Sequence, residues 1–303
     1  MKHLLSIQAL SGEEIAEIIT LAERIKKRGR HSGRPLEGQC WALMFSKAST
    51  RTRVSFEVGI RELGGDVMFL SANDIQLGRG EPIKDTARVM GRMLAGAVIR
   101  TFAQSDVELF AQYSGIPTIN ALTDDEHPCQ ILADLQTITE KLGGYTGRKV
   151  CFVGDGACNV ARSWIWAAAH CGFELAIAAP PNYQPDPALL KSLAGGNVWV
   201  TSNPEEAARG AEVLYTDVWV SMGKEEETEF RMAQLSGYQI NRRLVAAAAP
   251  GALVMHCLPA YREKEITDEV FEEHAGTIFD EAENRLHAQK AVLWLLREGW
   301  EGG

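Results

Sequence analysis

The sequence predicts an α/β protein of two doubly wound, parallel-sheet domains, and three observations carry that expectation. A chain of 303 residues is longer than one small core needs and short for three domains. Short apolar runs alternate with amphipathic stretches along its length, the pattern of parallel strands joined by helical crossovers. A glycine-rich break, Leu142-Gly-Gly-Tyr-Thr-Gly147, divides that alternation into two halves.

Taken in order, residues 12–27 have helical periodicity, 40–45 form an apolar run expected as a buried strand, 53–63 a helix and 67–70 a second strand. A helix at 84–94, a strand at 97–101 and helices at 107–114 and 130–141 follow, several of them closed by glycine at or near the C-terminus. Beyond the break come a strand at 150–153, a helix at 159–171, and strands at 174–179, 213–217 and 252–256. The last helical stretch, 281–298, is long enough to run back and pack on the first half. The expected domains are therefore 1–141, joined by the returning helix at 286–303, and 142–285.

The composition, 46% hydrophobic and 23% charged, fits a soluble globular enzyme. A net charge of -9 argues against nucleic acid as a partner, since such binding rests on a basic surface, and requires any phosphate ligand to meet a local cluster of cations. The longest uncharged stretches are too short or too interrupted to span a bilayer, and the first ten residues lack a signal-peptide core, so the expected address is the cytoplasm, with no membrane partner. Six cysteines at irregular spacings, with no C-x-x-C pair, suit a reducing compartment.

Four clusters carry chemistry. In Phe45-Ser-Lys-Ala-Ser-Thr-Arg-Thr-Arg53 a strand gives way to a helix, whose free N–H groups and dipole favour an anion. Ser49, Thr50 and Thr52 add hydroxyl donors there, and Arg51 and Arg53 add forked, charged ones, a set suited to a phosphate monoester or a carbamoyl anhydride of it. In Glu126-His-Pro-Cys-Gln130, Pro128 stiffens a loop that sets His127 and Gln130 just ahead of a helix, where both can donate to a carbonyl oxygen gaining negative charge. Asp217-Val-Trp-Val-Ser-Met-Gly223 sets a carboxylate ahead of a hydroxyl and a glycine at a strand end, and a carboxylate binds an ammonium group. In Met255-His-Cys-Leu-Pro-Ala260, again at a strand end, Cys257 lies between a histidine and a turn proline and could be a thiolate near cationic neighbours. Each has an ordinary structural use as well: a capped helix, a loop histidine, a turn-capping aspartate. No C-x-x-C or H-x₃-H spacing supports a metal, and no cofactor or metal is expected.

A fifth stretch, Val153-Gly-Asp-Gly-Ala-Cys-Asn159, imitates a dinucleotide fingerprint and fails it in detail. Asn159 occupies the third glycine position, and the following strand ends in Ala178-Ala-Pro-Pro181 instead of an acidic ribose-binding residue.

Together and in this order, Ser49–Arg53, Arg100, His127–Gln130, Asp217–Gly223 and His256–Pro259 resemble the aspartate/ornithine carbamoyltransferase family, from His3-Leu-Leu-Ser6 to Asn284-Arg-Leu-His287. The resemblance implies that Ser49, Thr50, Arg51 and Thr52 hold the phosphate of carbamoyl phosphate, and that Arg100, His127 and Gln130 hold its carbonyl. It implies a homotrimer, or a multiple of trimers, with shared active sites, Gln76 reaching into the neighbour's phosphate site. Asp217, Ser221 and Met222 match the S-M-G loop of the ornithine enzymes and Cys257 their H-C-L-P motif. Asn159 would then bind the α-amino-acid end of L-ornithine, Asp217 and Cys257 the δ-amine region, and Arg285 with the Leu258 carbonyl the reaction centre. The implied reaction makes citrulline and phosphate. Ser46 and Ala48 depart from the family's usual Glu and Pro, and neither is a ligand position. A carbamoyltransferase for putrescine or N-acetylornithine, a nicotinamide-dependent oxidoreductase and a non-catalytic relative are the competing readings.

Overall fold

The first helix shows how local sequence fixes an element: Ser11 and Glu14 form a reciprocal capping box, acidic residues fill the first turn and Lys26, Lys27 and Arg28 the last, matching the helix dipole. The computed structural model describes residues 1–29, 33–71, 81–193, 197–220 and 225–298. Its elements, in chain order, are α1 (Gly12–Arg28), β1 (Cys40–Phe45), α2 (Thr50–Glu62), β2 (Asp66–Ser71), α3 (Ile83–Met90), β3 (Gly96–Arg100), α4 (Gln104–Ser114), β4 (Thr118–Leu122), α5 (Pro128–Leu142), β5 (Lys149–Val153), α6 (Asn159–Cys171), β6 (Glu174–Ala178), α7 (Pro187–Ser192), β7 (Val198–Thr201), α8 (Pro204–Ala208), β8 (Val213–Thr216), α9 (Thr228–Leu235), α10 (Arg242–Ala247), β9 (Leu253–His256), α11 (Asp268–Glu273) and α12 (Ala275–Glu298). They fall into two units, Met1–Gln136 with Asn284–Gly303, and Thr137–Glu283.

The first unit holds a parallel sheet in the order β2-β1-β3-β4. Because the chain lays β2 on one side of β1 and then crosses to place β3 on the other, the order reverses between β1 and β3. In open α/β sheets such a switch point leaves a crevice at the strands' carboxyl ends, where ligands bind. Phe45 and Arg100 are paired there, at the last positions of their strands. Trp41, Phe56 and Phe110 are fully buried around the sheet. Asn284–Gly303 returns to this unit, as expected of the C-terminal helix, and Lys290 of α12, almost fully buried, donates to Glu62 at the end of α2 over 2.9 Å.

β4 was absent from the expected elements. Pro117, Thr118 and Asn120 interrupt its apolar pattern, yet the strand is buried because those polar groups are satisfied inside: Asn120 Nδ2 donates to the Leu5 carbonyl at 2.9 Å and to Gln104 Oε1 at 3.1 Å.

The second unit holds a parallel sheet in the order β7-β6-β5-β8-β9, with its switch point between β5 and β8. Trp164 packs edge-on against Tyr215 at 5.2 Å and against Phe173 at 5.7 Å, tying α6 to the sheet. β7, absent from the expected elements, is a four-residue, half-exposed edge strand. The helices α7 to α11, each of five to eight residues, were absent too, being too short for a helical period to declare itself. Among the described residues no helix is long and apolar enough to cross a membrane.

Candidate active site

Ser49 stands one residue before α2 and caps it, its hydroxyl accepting from the Thr52 N–H at 3.4 Å. The helix thus begins earlier than its periodicity suggested, and Thr50, Arg51 and Thr52 form its first turn instead of a loop ahead of it. No acidic residue occupies that turn, so its partial positive charge of about half a unit is left for a ligand. Arg51 is exposed, while Arg53 lies over the Phe69 ring at 3.7 Å. Lys47 is 6% exposed, ion-paired with Asp124 and 4.2 Å from the Phe102 ring.

Below the cradle lies a set of buried polar side chains. Arg285 of α12 donates to Thr52 Oγ1 at 3.1 Å and to Gln130 Oε1 at 2.7 Å; Gln130 Nε2 donates onward to Asp134 Oδ1 at 2.8 Å. Arg100, at the end of β3, and His127 are buried as well. Burial, then the Arg285 and Arg100 guanidinium groups, hold the His127 imidazole well below its ordinary value of 6.5. It is therefore neutral near pH 7, able to donate to a carbonyl oxygen without adding a charge of its own. Since α5 starts at Pro128, Gln130 sits inside its first turn, not ahead of it, with its N–H on the His127 carbonyl at 3.0 Å. The segment is anchored from the chain's start: Glu126, almost fully buried, accepts from the Ile7 N–H at 2.7 Å.

In the second unit, Asp217 directly follows β8, half-buried. The Cys257 thiol donates to Asp217 Oδ1 at 2.9 Å, and the Val218 N–H to the same oxygen at 2.7 Å. The cysteine thus has a carboxylate beside it, where the sequence suggested cationic neighbours. Burial pushes the Asp217 carboxyl up, while His256 and the Cys257 hydrogen bond pull it the other way. Such a pair, a half-buried carboxylate with a thiol, suits an amine that changes its protonation state.

His256 fixes the turn that carries Cys257. Its Nδ1 accepts from the Leu258 N–H at 2.9 Å, which leaves the proton on Nε2, directed at Glu265 Oε1 at 3.1 Å. Glu265 also accepts from the Tyr261 N–H at 2.5 Å, and Glu281 takes the His256 N–H at 2.8 Å. Leu258 has φ 56°, a left-handed conformation that costs a non-glycine residue about 1–3 kcal/mol and is sustained by these bonds.

Asn159 opens α6 at the end of the loop after β5, half-buried. The Gly154-Asp-Gly156 loop before it answers to chain geometry, not to a nucleotide: Gly154 has φ 133°, and a Cβ on Gly156 would lie 2.8 Å from Ile177. Asp155, between them, pairs with buried Arg231 of α9, whose Nε donates to the Trp219 carbonyl at 2.7 Å. Arg231 thus ties together the loops after β5 and β8.

The first unit therefore gathers Ser49, Thr50, Arg51, Thr52, Arg100, His127, Gln130 and Arg285, and the second Asn159, Asp217, Cys257 and Leu258. Gln76, Ser221 and Met222 lie outside the described residues. Sequence reasoning passed over Asp134, Glu265 and Arg231. Only Asp134 left a signal, as the lone charge in Ile131-Leu-Ala-Asp-Leu135.

Comparison with known proteins matches residues 2–140 to the carbamoyl-phosphate-binding domain of aspartate/ornithine carbamoyltransferases and 146–296 to their aspartate/ornithine-binding domain. The ornithine carbamoyltransferase of Akkermansia muciniphila is 59% identical over the full length of both chains. The crystal structure of the anabolic ornithine carbamoyltransferase of Campylobacter jejuni superposes with a TM-score of 0.94 at 42% identity, covering 99% of this chain and 100% of that one. The Pyrococcus furiosus ornithine carbamoyltransferase gives 0.93 at 44% identity, covering 98% and 97%.

Proposed function

The chain belongs to the aspartate/ornithine carbamoyltransferase family, whose members are carbamoyl-transferring transferases, and from that premise we propose that it carries the carbamoyl group of carbamoyl phosphate to the δ-amine of L-ornithine. The contact that carries the choice of amine is Cys257 Sγ to Asp217 Oδ1, 2.9 Å, in the H-C-L-P and D-x-x-x-S-M-G segments of the ornithine enzymes.

In this reading Ser49, Thr50, Arg51 and Thr52 hold the phosphate, and Gln76 of a neighbouring copy completes its site. Arg100, His127 and Gln130 donate to the carbamoyl oxygen, with Arg285 and the Leu258 carbonyl at the reaction centre. Asn159 holds the amino-acid end of ornithine, Ser221 and Met222 belong to the ornithine-binding loop, and Asp217 with Cys257 orients the δ-amine. The neutral amine attacks the carbonyl carbon; the C–O bond to phosphate breaks, and its electron pair leaves with the phosphate. The amine's proton passes to Asp217, whose raised affinity for protons fits it for that task. Buried donors aimed at the oxygen that gains charge do most of the remaining work.

The trimer, or a multiple of it, belongs to the same proposal. Supporting it are apolar side chains left exposed on the first unit: Val54 and Val58 on α2, Met68 on β2, Val89 on α3, and Met93 just beyond it, 73% exposed. A cytoplasmic place in arginine biosynthesis, or its reverse in arginine breakdown, follows the substrate assignment. The experiment is an assay with carbamoyl phosphate and a panel of L-ornithine, putrescine, N-acetylornithine and L-aspartate, reading carbamoylated product and phosphate together. Citrulline as the preferred product supports the proposal, and preference for another amine removes the reading of Asp217 and Cys257.

A further inference from the structure

The buried set beneath the phosphate cradle includes Asp134, a carboxylate with no exposure at all, one helical turn beyond Gln130 on α5. Gln130 is the link that could be reversed, because the oxygen and nitrogen of a carboxamide fill nearly the same space. Its Nε2 faces Asp134 Oδ1 at 2.8 Å and its Oε1 faces Arg285 Nη1 at 2.7 Å. A carboxylate can only accept and a guanidinium can only donate, so with those two neighbours a single orientation of the amide is allowed. Arg285 in turn reaches Thr52 Oγ1 at 3.1 Å, in the first turn of α2.

We propose that Asp134 is a positioning residue that fixes the polarity of the Gln130 amide and, through it, the places of Arg285 and the Thr52 hydroxyl that receive carbamoyl phosphate. This rests on the reading of Gln130 as a holder of the carbamoyl oxygen. One N–H of Gln130 goes to Asp134, and the same constraint aims the second. Were the amide reversed, its NH₂ would confront the Arg285 guanidinium, and Arg285 would lose the acceptor that holds it toward Thr52. An ordinary i, i+4 pair on a helix would support the helix and nothing else. Here both partners are buried, and the pair continues into a cation that touches the cradle.

The test is Asp134→Asn in the full chain, which keeps the shape and removes the obligation to accept. Initial rates give KM for carbamoyl phosphate, and KM for L-ornithine at saturating carbamoyl phosphate; thermal melts give Tm. The expected result is a rise of about tenfold or more in KM for carbamoyl phosphate, since a misplacement near 1 Å can cost about a hundredfold. KM for ornithine should stay within about twofold, the smaller change expected of a site that the amide does not line. An unchanged KM for carbamoyl phosphate, a fall in Tm alone, or an equal rise in both KM values overturns the proposal.

Should Asp134→Asn not fold, Gln130→Met is compared with Gln130→Met/Asp134→Leu, which fills the same space with apolar groups. Equal KM for carbamoyl phosphate in the two shows Asp134 acting through Gln130, and a further loss in the double variant contradicts it. The unaltered protein runs in the same series. If it makes no carbamoylated ornithine, the functional reading fails; if it does and Asp134→Asn matches it, only the positioning role fails.

Discussion

At the switch point of the first sheet, the loops after β1 and β3 and the start of α5 bring together arginines, a neutral imidazole and the unfilled first turn of a helix. At the switch point of the second, the loops after β5 and β8 bring an amide and a carboxylate, the turn after β9 adds a thiol, and further carboxylates stand at Asp155 and Glu265. Both crevices arise from the same reversal of strand order. Topology therefore supplies a place for a ligand, and the side chains at the strand ends decide its charge. The cationic set suits an anion and the carboxylate set an amine, the division of labour that the proposed carbamoyl transfer needs.

The largest effect is expected at Arg51, in the first crevice. Arg51→Ala should lower kcat/KM for carbamoyl phosphate by about a hundred- to a thousandfold, the scale of losing a charged donor to a developing anion, without changing the specificity among amines. Steady-state kinetics with the amine panel measures both.

Cys257→Ala tests the other crevice, and the expected change is a rise of about tenfold in KM for ornithine with carbamoyl phosphate binding intact. The estimate corresponds to one hydrogen bond to a charged group, about 1.5 kcal/mol. An equal loss for both substrates would end the division of roles between the crevices.

Glu265→Gln keeps the shape of the group that holds His256 but removes its charge. Unfolding free energy should fall by about 1.5–3 kcal/mol, the range for hydrogen bonds involving charged groups, as read by denaturant titration. Loss of ornithine affinity beyond that of Cys257→Ala would mean that the turn at Cys257 depends on it.

Acid sharpens the contrast further. Burial and its arginine neighbours hold His127 below 6.5 when folded, so below that pH the unfolded chain binds the proton more readily. The histidine's contribution to stability is fully present above pH 6.5 and is lost as the pH falls from there toward its folded value. His3 and His274, also lowered by burial, add to the same slope. The specific expectation is that His127→Asn flattens the dependence of Tm on pH below 6.5 relative to the unaltered chain.

The smallest effect belongs to Ser11→Ala at the start of α1, which removes the reciprocal capping box with Glu14. It should cost about 1 kcal/mol in a chemical melt and leave both KM values unchanged.

The alternation of strands and helices was legible wherever an element was long or wholly apolar: 159–171 was found to the residue, and β1, β3, β5 and β6 within one or two. β4 was not, because its polar residues are matched by partners as distant as Leu5, and neither was β7, half-exposed at a sheet edge. The candidate site followed the same division. Ser49, Arg51, His127 and Asp217 could be singled out because each sits at a strand-to-loop or loop-to-helix junction, where backbone groups lie open to a ligand.

By itself, then, the sequence determined the strand-helix alternation, the two-part organisation and the residue types at the strand ends, since all three are local and written in consecutive residues. Which strands are neighbours, and hence where the crevices fall, was decided only by the tertiary structure. So were the Arg285–Gln130–Asp134 chain and the Asp217–Cys257 bond, whose partners stand as much as 155 residues apart and meet because burial leaves each polar group no water to bond.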